Sequence, residues 1–395
     1  MREEEAMTAT DILAAADGFS EELAQRAAEV EANRFLPQDI AARFAAAGFY
    51  RLCIPEACGG LEANPRLLVE VVERLARADA SPAWCVMIGG TTGLLAGFMP
   101  PNEARAVFGA PDVISAGVFA PRGKAVREVH DGVEGYRATG RWQWGSGSRN
   151  ANWIAGGCLV MGEDGKPEMA PEGVPQNRML LFPESEVTLL DTWDVSGLNG
   201  TGSTDFEVKE VFVPASQAIS LISDKPLARP LYAFPTFGLL SIGIAGVALG
   251  AARGAIDDLV ETATAKKPQG SSKTLAERAK AHLDVSEAEA LTRSARAYLY
   301  EAIDTAWEAA TRHGEITEAH RRDLRHASVH AVKSAGRTID LMYTLAGGSS
   351  VYRSHALQRR FRDIHVATQH AMVADTTYEL TGRLFLGVPT NTAML

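Results

Sequence analysis

The chain has 395 residues, of which 46% are hydrophobic and 22% charged, and its formal net charge is -10, so we expect a globular protein of two or three domains without a nucleic-acid partner. Its four cysteines, Cys53, Cys58, Cys85 and Cys158, show no CxxC spacing, which argues against a zinc site and favours a reducing compartment. The amino terminus, MREEEAMTAT, is acidic rather than basic, so we expect no secretory signal and a cytoplasmic location.

The first quarter of the chain carries a helical pattern. Apolar residues recur at helical spacing in ELAQRAAEVEANRFLPQDIAARFAAAGF and in LLVEVVERLARADASPAWCVMIGGTTGLLAGF, and the turn PEACGG separates the two runs. This spacing predicts an N-terminal α-helical domain over residues 8–111.

The pattern changes near residue 112. The segments VISAGVFA, NWIAGGCLVMG and FEVKEVFVP are short, rich in β-branched and aromatic residues, and separated by Gly, Pro and Asp. FEVKEVFV alternates apolar and charged residues, which is the period of a half-buried strand. We therefore predict a small antiparallel β domain over residues 112–216.

The segment PLYAFPTFGLLSIGIAGVALGAAR has no charge before Arg253 and is long enough to cross a bilayer. Its early prolines, and its continuation into the amphipathic GAIDDLVETAT, favour a buried helix from about Phe237 and no membrane partner. Its glycines allow a neighbouring helix or a ligand to come close. Long amphipathic runs joined by short loops then predict a C-terminal four-helix bundle over residues 230–395.

This order of domains resembles the acyl-CoA dehydrogenase fold, which is mainly α-helical with a central β domain. Three segments carry the resemblance beyond the architecture: LCIPEACGG at 52–60, GRWQWGSGSRNANWIAGG at 140–157 and SGLNGTGSTDFEVKEVFVP at 196–214. The sequence has neither a GxGxxG after a strand nor a GxxxxGK[ST] motif, so it predicts neither a Rossmann domain nor a P-loop.

The segment FRDIHVATQH at 361–370 distinguishes two activities of this fold. If this chain were a dehydrogenase, the resemblance would imply a glutamate base about nine residues after the arginine of an R-D pair. Here that arginine is Arg362, and the residue nine positions later is Ala371. No glutamate occurs between Glu318 and Glu379. Glu261, on the helix where some dehydrogenases carry their base, follows a DDLV run typical of a solvated face.

The same segment resembles the motif W/F-R-D-x-H-x-x-x-Q-H of two-component (group D type) flavin-dependent monooxygenases. The resemblance implies that a separate reductase supplies reduced FAD or FMN. It also implies that O2 is activated as a C4a-(hydro)peroxyflavin and that a small aromatic or polycyclic substrate is oxidised. It places His370 over the flavin and Ser146, of the Ser146–Gly147 pair, beside it as catalytic residues. It further implies a homotetramer, a dimer of dimers. Several of these enzymes have a histidine in the helix after an S-x-A-W motif, whereas SPAWCVMIGGTTGLLAG offers only Thr91 and Thr92 here.

Further residues are predicted to bind the flavin. Trp144 would pack on the isoalloxazine edge, and Ser148 is the alternative to Ser146. GGSS at 347–350 is expected to open the last long helix, where free N–H groups favour phosphate. The remaining predicted cofactor residues are Ser349, Ser350 and Arg353 at this position and Lys273, with Lys267 and Ser271, in a loop that often contacts the flavin of the dimer partner.

Several plainer interpretations stand beside these. His365 and His370 are five residues apart on the predicted helix and share no face, so we expect no metal pair. His365 is expected to pack or cap, Trp84 to lie in the core, and Arg362–Asp363 to form a structural ion pair. Two other functions stay open: an acyl-CoA dehydrogenase with a displaced base, and a catalytically silent partner subunit. The sequence does not identify the substrate, nor does it distinguish FAD from FMN.

Overall fold

The computed structural model describes residues 8–170, 173–393 and 395, and its N-terminal part is helical. Thr8 and Asp11 form a capping box at the first helix, and the Asp79 carboxylate accepts from the Ser81 N–H at 2.9 Å to cap the fifth. The helices are α1 (Ala9–Gly18), α2 (Ser20–Asn33), α3 (Gln38–Ala46), α4 (Pro65–Ala78), α5 (Ala80–Thr92) and α6 (Pro101–Phe108). Every residue of α5 is buried, so this helix runs through the interior.

A seven-stranded sheet follows, in the order β5-β6-β2-β1-β3-β4-β7. Its strands are β1 (Ser115–His130), β2 (Val133–Gly145), β3 (Trp153–Met161), β4 (Asn177–Pro183), β5 (Thr188–Leu189), β6 (Thr204–Pro214) and β7 (Ala218–Ile219). The prediction of a purely antiparallel sheet is wrong at one pair, because β1 and β3 are parallel. β2 and the turn after it connect β1 to β3. They bring the chain back to the start of β1, so that β3 begins beside Ser115 and runs in the same direction as β1.

Trp142 is the centre of the sheet's packing. It is completely buried, its ring stacks on Phe206 with centroids 5.0 Å apart, and its Nε1 donates to the Gly157 carbonyl at 2.7 Å. Glycines make room for the indole: a Cβ on Gly156 would lie 2.8 Å from the ring. The tryptophan therefore fixes how β2, β3 and β6 approach one another.

The C-terminal part consists of α7 (Thr236–Ala263), α8 (Ala279–His313), α9 (Glu318–Ala346), α10 (Ala356–Ala367) and α11 (Asp375–Phe385). The long apolar segment forms the helix α7. In its most apolar stretch of 18 residues, 94% is buried inside the protein. Its glycines let α4 approach: a Cβ on Gly246 would lie 2.8 Å from the Val72 side chain, and one on Gly250 would lie 2.2 Å from the Glu73 carbonyl. The glycines thus serve helix packing.

The predicted ion pair between Arg362 and Asp363 is wrong, because the two side chains bind different partners. Arg362 Nη2 lies 2.6 Å from the Glu31 carboxylate, which ties α10 to α2. Asp363 Oδ1 accepts from the Leu198 N–H at 2.6 Å, which ties α10 to the loop before β6. Burial, with the nearby Asp79 adding to it, raises the pKa of Asp363 to about 7.

We expect Trp142→Phe to destabilise the protein by about 2–4 kcal/mol, since it leaves a small cavity and an unpaired Gly157 carbonyl. Thermal or urea unfolding followed by fluorescence measures this. Trp144→Phe is the matched control, because Trp144 is two residues along the same strand and 68% exposed. Equal melting temperatures of Trp142→Phe and Trp144→Phe would contradict the role given to Trp142.

Asp363 gives a pH prediction. Its raised pKa means that the folded state favours the neutral carboxyl, so its contribution to stability is present below about pH 4 and is lost as the pH rises through about 7. Asp363→Asn keeps an acceptor for the Leu198 N–H and removes the titration. We therefore expect the melting temperature of the variant, relative to the wild type, to increase between pH 5 and 8. A constant difference over that range would contradict it.

Candidate functional site

Trp84 connects the two residues that the sequence predicts to be catalytic. It lies on the buried helix α5 and is 5% exposed. Its indole ring lies 5.8 Å from the His370 ring, at an angle of 60°, and its Nε1 donates to Ser146 Oγ at 3.2 Å. Sequence reasoning assigned Trp84 to the core and missed this contact.

His370 lies in a turn rather than on a helix. The continuous helix predicted through this region is wrong: α10 ends at Ala367, and His370 caps a 3₁₀ turn over Ala371–Val373. Its Nδ1 accepts from the Met372 N–H at 3.2 Å, so the neutral ring carries its proton on Nε2. Burial, helped by the positive charge of Arg325, lowers the pKa of His370 to about 4. The imidazole is therefore neutral at physiological pH.

Ser146 begins a chain of buried hydroxyl groups. Its Oγ lies 2.6 Å from Ser203 Oγ, which lies 2.6 Å from Thr201 Oγ1, and Thr201 donates to the Leu198 carbonyl at 2.7 Å. Because Thr201 uses its only proton on that carbonyl, Ser203 must donate to Thr201 and Ser146 to Ser203. Ser146 Oγ accepts from Trp84 and keeps one lone pair. It therefore presents an acceptor to a further donor.

Trp144 lies near the end of β2, and Ser148 begins the 3₁₀ turn Ser148–Asn150 that follows this strand. Trp144 has φ 66° and is 68% exposed, so its indole is available to a planar ligand. Ser148 follows Gly147, which has φ 73°, and is 1% exposed. The Ser148 hydroxyl has no hydrogen-bond partner among the described residues. A buried unpaired hydroxyl is unfavourable unless a ligand or water satisfies it, so this position fits a polar group of a cofactor.

The predicted phosphate residues lie in the C-terminal helical part, away in sequence from Trp144 and Ser148 of the β domain. GGSS does not open a long helix as predicted: it forms a 3₁₀ turn over Gly347–Val351, and α10 begins only at Ala356. Ser350 Oγ donates to the Gly347 carbonyl at 2.7 Å, and Ser349 Oγ accepts from Lys266 Nζ. Lys266 thereby connects the loop after α7 to the GGSS turn. Lys273 in that loop is exposed, and so is Arg353, which follows the turn.

Other residues singled out in the sequence have local roles. His365 is exposed, and its Nε2 lies 3.0 Å from the Asp340 carboxylate. Thr91 and Thr92 each donate to a carbonyl of their own helix at 2.8 Å, Thr91 to Met87 and Thr92 to Ile88. Within the part of the chain that the structure describes, no group of three potential ligand side chains is placed to hold a metal ion.

Comparison with known proteins identifies the family. The family described as acyl-CoA dehydrogenase, N-terminal domain, matches residues 4–99, and acyl-CoA dehydrogenase, C-terminal domain, matches residues 242–375. An indole-3-acetate monooxygenase of Pseudomonas putida is 33% identical over 92% of this chain and 90% of its own.

Two further relatives have the same architecture. The flavin-dependent monooxygenase oxygenase subunit HsaA of Mycobacterium tuberculosis is 29% identical over 98% of both chains. XiaF from Streptomyces, in complex with FADH2 and glycerol, is 26% identical, covers 98% of both chains and has a TM-score of 0.88. Since the similarity to monooxygenases extends over nearly the whole sequence, the chain belongs to the flavin-dependent monooxygenases with the acyl-CoA dehydrogenase fold.

Proposed function

We propose that this protein is the oxygenase component of a two-component system, which takes reduced FAD or FMN from a separate reductase and uses O2 to oxidise a small aromatic or polycyclic substrate. The contact of Trp84 with both His370 and Ser146 is the observation that carries this proposal. The relative HsaA is named an oxygenase subunit, which supports a separate reductase, and XiaF holds FADH2. We also propose a homotetramer in the cytoplasm, and the four buried free cysteines suit that compartment.

The described residues fit a bound flavin. When bound, reduced flavin supplies the activation of O2, and the protein supplies orientation, hydrogen bonds and exclusion of water. The unpaired hydroxyl of Ser148 offers a polar contact, and the exposed indole of Trp144 offers a flat apolar surface. Ser349, Ser350, Arg353 and Lys273 remain our proposed phosphate contacts. Lys266 strengthens that assignment, because it brings a cation to Ser349.

His370 acts as a hydrogen-bond donor in this proposal. Its Nδ1 is occupied by the Met372 N–H, so only Nε2–H is free to point at a ligand. A pKa of about 4 makes the ring a weak base at neutral pH, which favours donation to a reacting oxygen over abstraction of a substrate proton. Trp84 holds the ring from the side, since the indole is itself fixed by Ser146.

Ser146 acts as an acceptor. The hydroxyl chain orients its proton towards Ser203 and leaves one lone pair free for an N–H group of the cofactor or substrate. The chain also lies among buried residues, so the acceptor is kept from water. Ser146 and the neutral His370 thus bring no negative charge to the reacting centre, which avoids repulsion of a developing oxygen anion.

The dehydrogenase alternative lacks a base in this geometry. Ala371 carries no carboxylate, Glu261 is exposed, and the Asp363 carboxylate is bound to the Leu198 N–H. The silent partner subunit is the second alternative, and flavin binding tests it.

We expect the anaerobic protein with reduced FAD, mixed with oxygenated buffer in a stopped-flow instrument, to give a transient absorbance distinct from both reduced and oxidised flavin. A water-excluding site with fixed donors should prolong that transient. The same experiment with reduced FMN compares the two cofactors. A protein that is isolated yellow, is bleached by an acyl-CoA thioester and shows no transient would be a dehydrogenase. A protein that binds neither reduced flavin would be a silent subunit.

We expect His370→Ala to lower product formed per reduced flavin consumed by about 100-fold, because the Nε2–H donor is lost. Product and H2O2 are quantified together under single turnover. His365→Ala is the matched control, because His365 lies five residues earlier in the same segment and pairs with Asp340 at the surface. We expect this control to remain coupled. Full coupling in His370→Ala would show that the catalytic assignment is wrong.

A further inference from the structure

Arg325 is a buried cation that the roles described so far leave unused. It lies on α9 and is 2% exposed. Its Nη1 donates to the Phe237 carbonyl at 3.2 Å and to the Met372 sulfur at 3.0 Å, and its Nη2 donates to Thr377 Oγ1 at 3.3 Å. These three acceptors are neutral. The Arg325 Nε has no hydrogen-bond partner among the described residues.

Other buried arginines of the chain are compensated. Arg360 is 8% exposed and lies 2.7 Å from the Asp258 carboxylate. Arg51, also 8% exposed, donates to the carbonyls of Gly59 at 2.9 Å and Cys58 at 2.7 Å. Its guanidinium therefore serves the local backbone. Arg325 has neither a carboxylate nor a full set of carbonyls.

The charge of Arg325 persists inside the protein. Burial lowers the pKa of Arg325 to about 10, and no described carboxylate opposes that shift, so the guanidinium is protonated at neutral pH. A buried, uncompensated charge is unfavourable unless an anion joins it. The described chain provides none, which points to a ligand that brings its own negative charge.

The position of Arg325 connects this charge to the catalytic turn. Met372, which contacts Arg325, also donates its N–H to His370 Nδ1. The thioether is a weak acceptor on a flexible side chain, so a carboxylate oxygen is a much stronger partner for the same N–H group. An anion that replaced the Met372 sulfur would lie beside the turn that holds His370.

We propose that Arg325 binds a carboxylate group carried by the aromatic substrate, and that this contact orients the ring towards His370. The inference rests on the proposed function. One guanidinium with one unpaired N–H suits a singly charged carboxylate, whereas a phosphate dianion would leave charge uncompensated. The relative from Pseudomonas putida is named for indole-3-acetate, which carries such a group next to an aromatic ring.

The test compares a carboxylate with its neutral amide: indole-3-acetate with indole-3-acetamide, and benzoate and phenylacetate with their amides. Dissociation constants are measured by calorimetry under anaerobic conditions with the protein bound to reduced FAD. We expect the wild type to bind at least one carboxylate roughly 10- to 100-fold more tightly than its amide, the range of a charge-assisted hydrogen bond. Arg325→Met should abolish that preference with little effect on the amide, and Arg325→Lys should retain part of it.

Arg51→Met is the matched control, because it removes another buried arginine, whose partners are the Cys58 and Gly59 carbonyls, and should leave the preference unchanged. Equal weakening of acid and amide by Arg325→Met would overturn the proposal and leave Arg325 a purely structural role. A wild type without preference for any of the three acids would overturn it as well. The oxygen-dependent transient without substrate is independent of these results, so failure of this inference and failure of the proposed function are distinguishable.

Discussion

The hydrogen bond from Trp84 to Ser146 is the interaction on which the arrangement of the site depends. Trp84 comes from the N-terminal helices, Ser146 from the turn that follows β2, and His370, whose ring makes an edge contact with the indole, from the bundle. Three parts of the chain thus meet at one buried side chain. Because the N–H needs a partner when buried, the bond fixes the distance between α5 and the sheet, and with it the position of the histidine.

The interior around this bond carries little charge. His370 is held neutral by burial, and Asp363 is pushed towards its neutral form by the same cause, although the two groups titrate in opposite directions. Arg325 is the exception, since an arginine keeps its proton where a histidine loses it. A fixed positive charge beside His370 favours anionic ligands and disfavours a protonated histidine.

Much of the fold could be predicted from the sequence, because hydrophobic period reports element type directly. The glycine-rich α7 is an example: its prolines, glycines and amphipathic continuation together indicated a buried helix. The parallel pairing of β1 and β3 could not be predicted, because alternation tells which face a residue occupies but not the direction of the neighbouring strand.

The site was predicted less completely than the fold, because a sequence pattern does not tell which distant side chains come into contact. The apolar spacing of the sequence continues through His370, whereas in the structure α10 ends at Ala367 and His370 caps a separate 3₁₀ turn. Trp84 itself is one aromatic residue in an apolar helix, and nothing in its neighbours along the chain separates a core residue from a bridging one. Arg325 lies in a run rich in charge, RRDLRH, where burial of a single member leaves no sequence signal.

The packing of Trp142 has a consequence for how sequences of this family can vary. A Cβ would lie 2.4 Å from its ring at Gly123, 2.7 Å at Gly140 and 2.8 Å at Gly156. Trp142 therefore requires a glycine at each of these three positions. A Cβ on Gly140 would also lie 2.6 Å from the Gly123 Cα, and one on Gly123 would lie 2.6 Å from the Cys158 sulfur, whereas at Gly156 the indole supplies the nearest atoms. A homologue with a smaller residue in place of Trp142 therefore gains room at Gly156, so changes at these two positions should occur together.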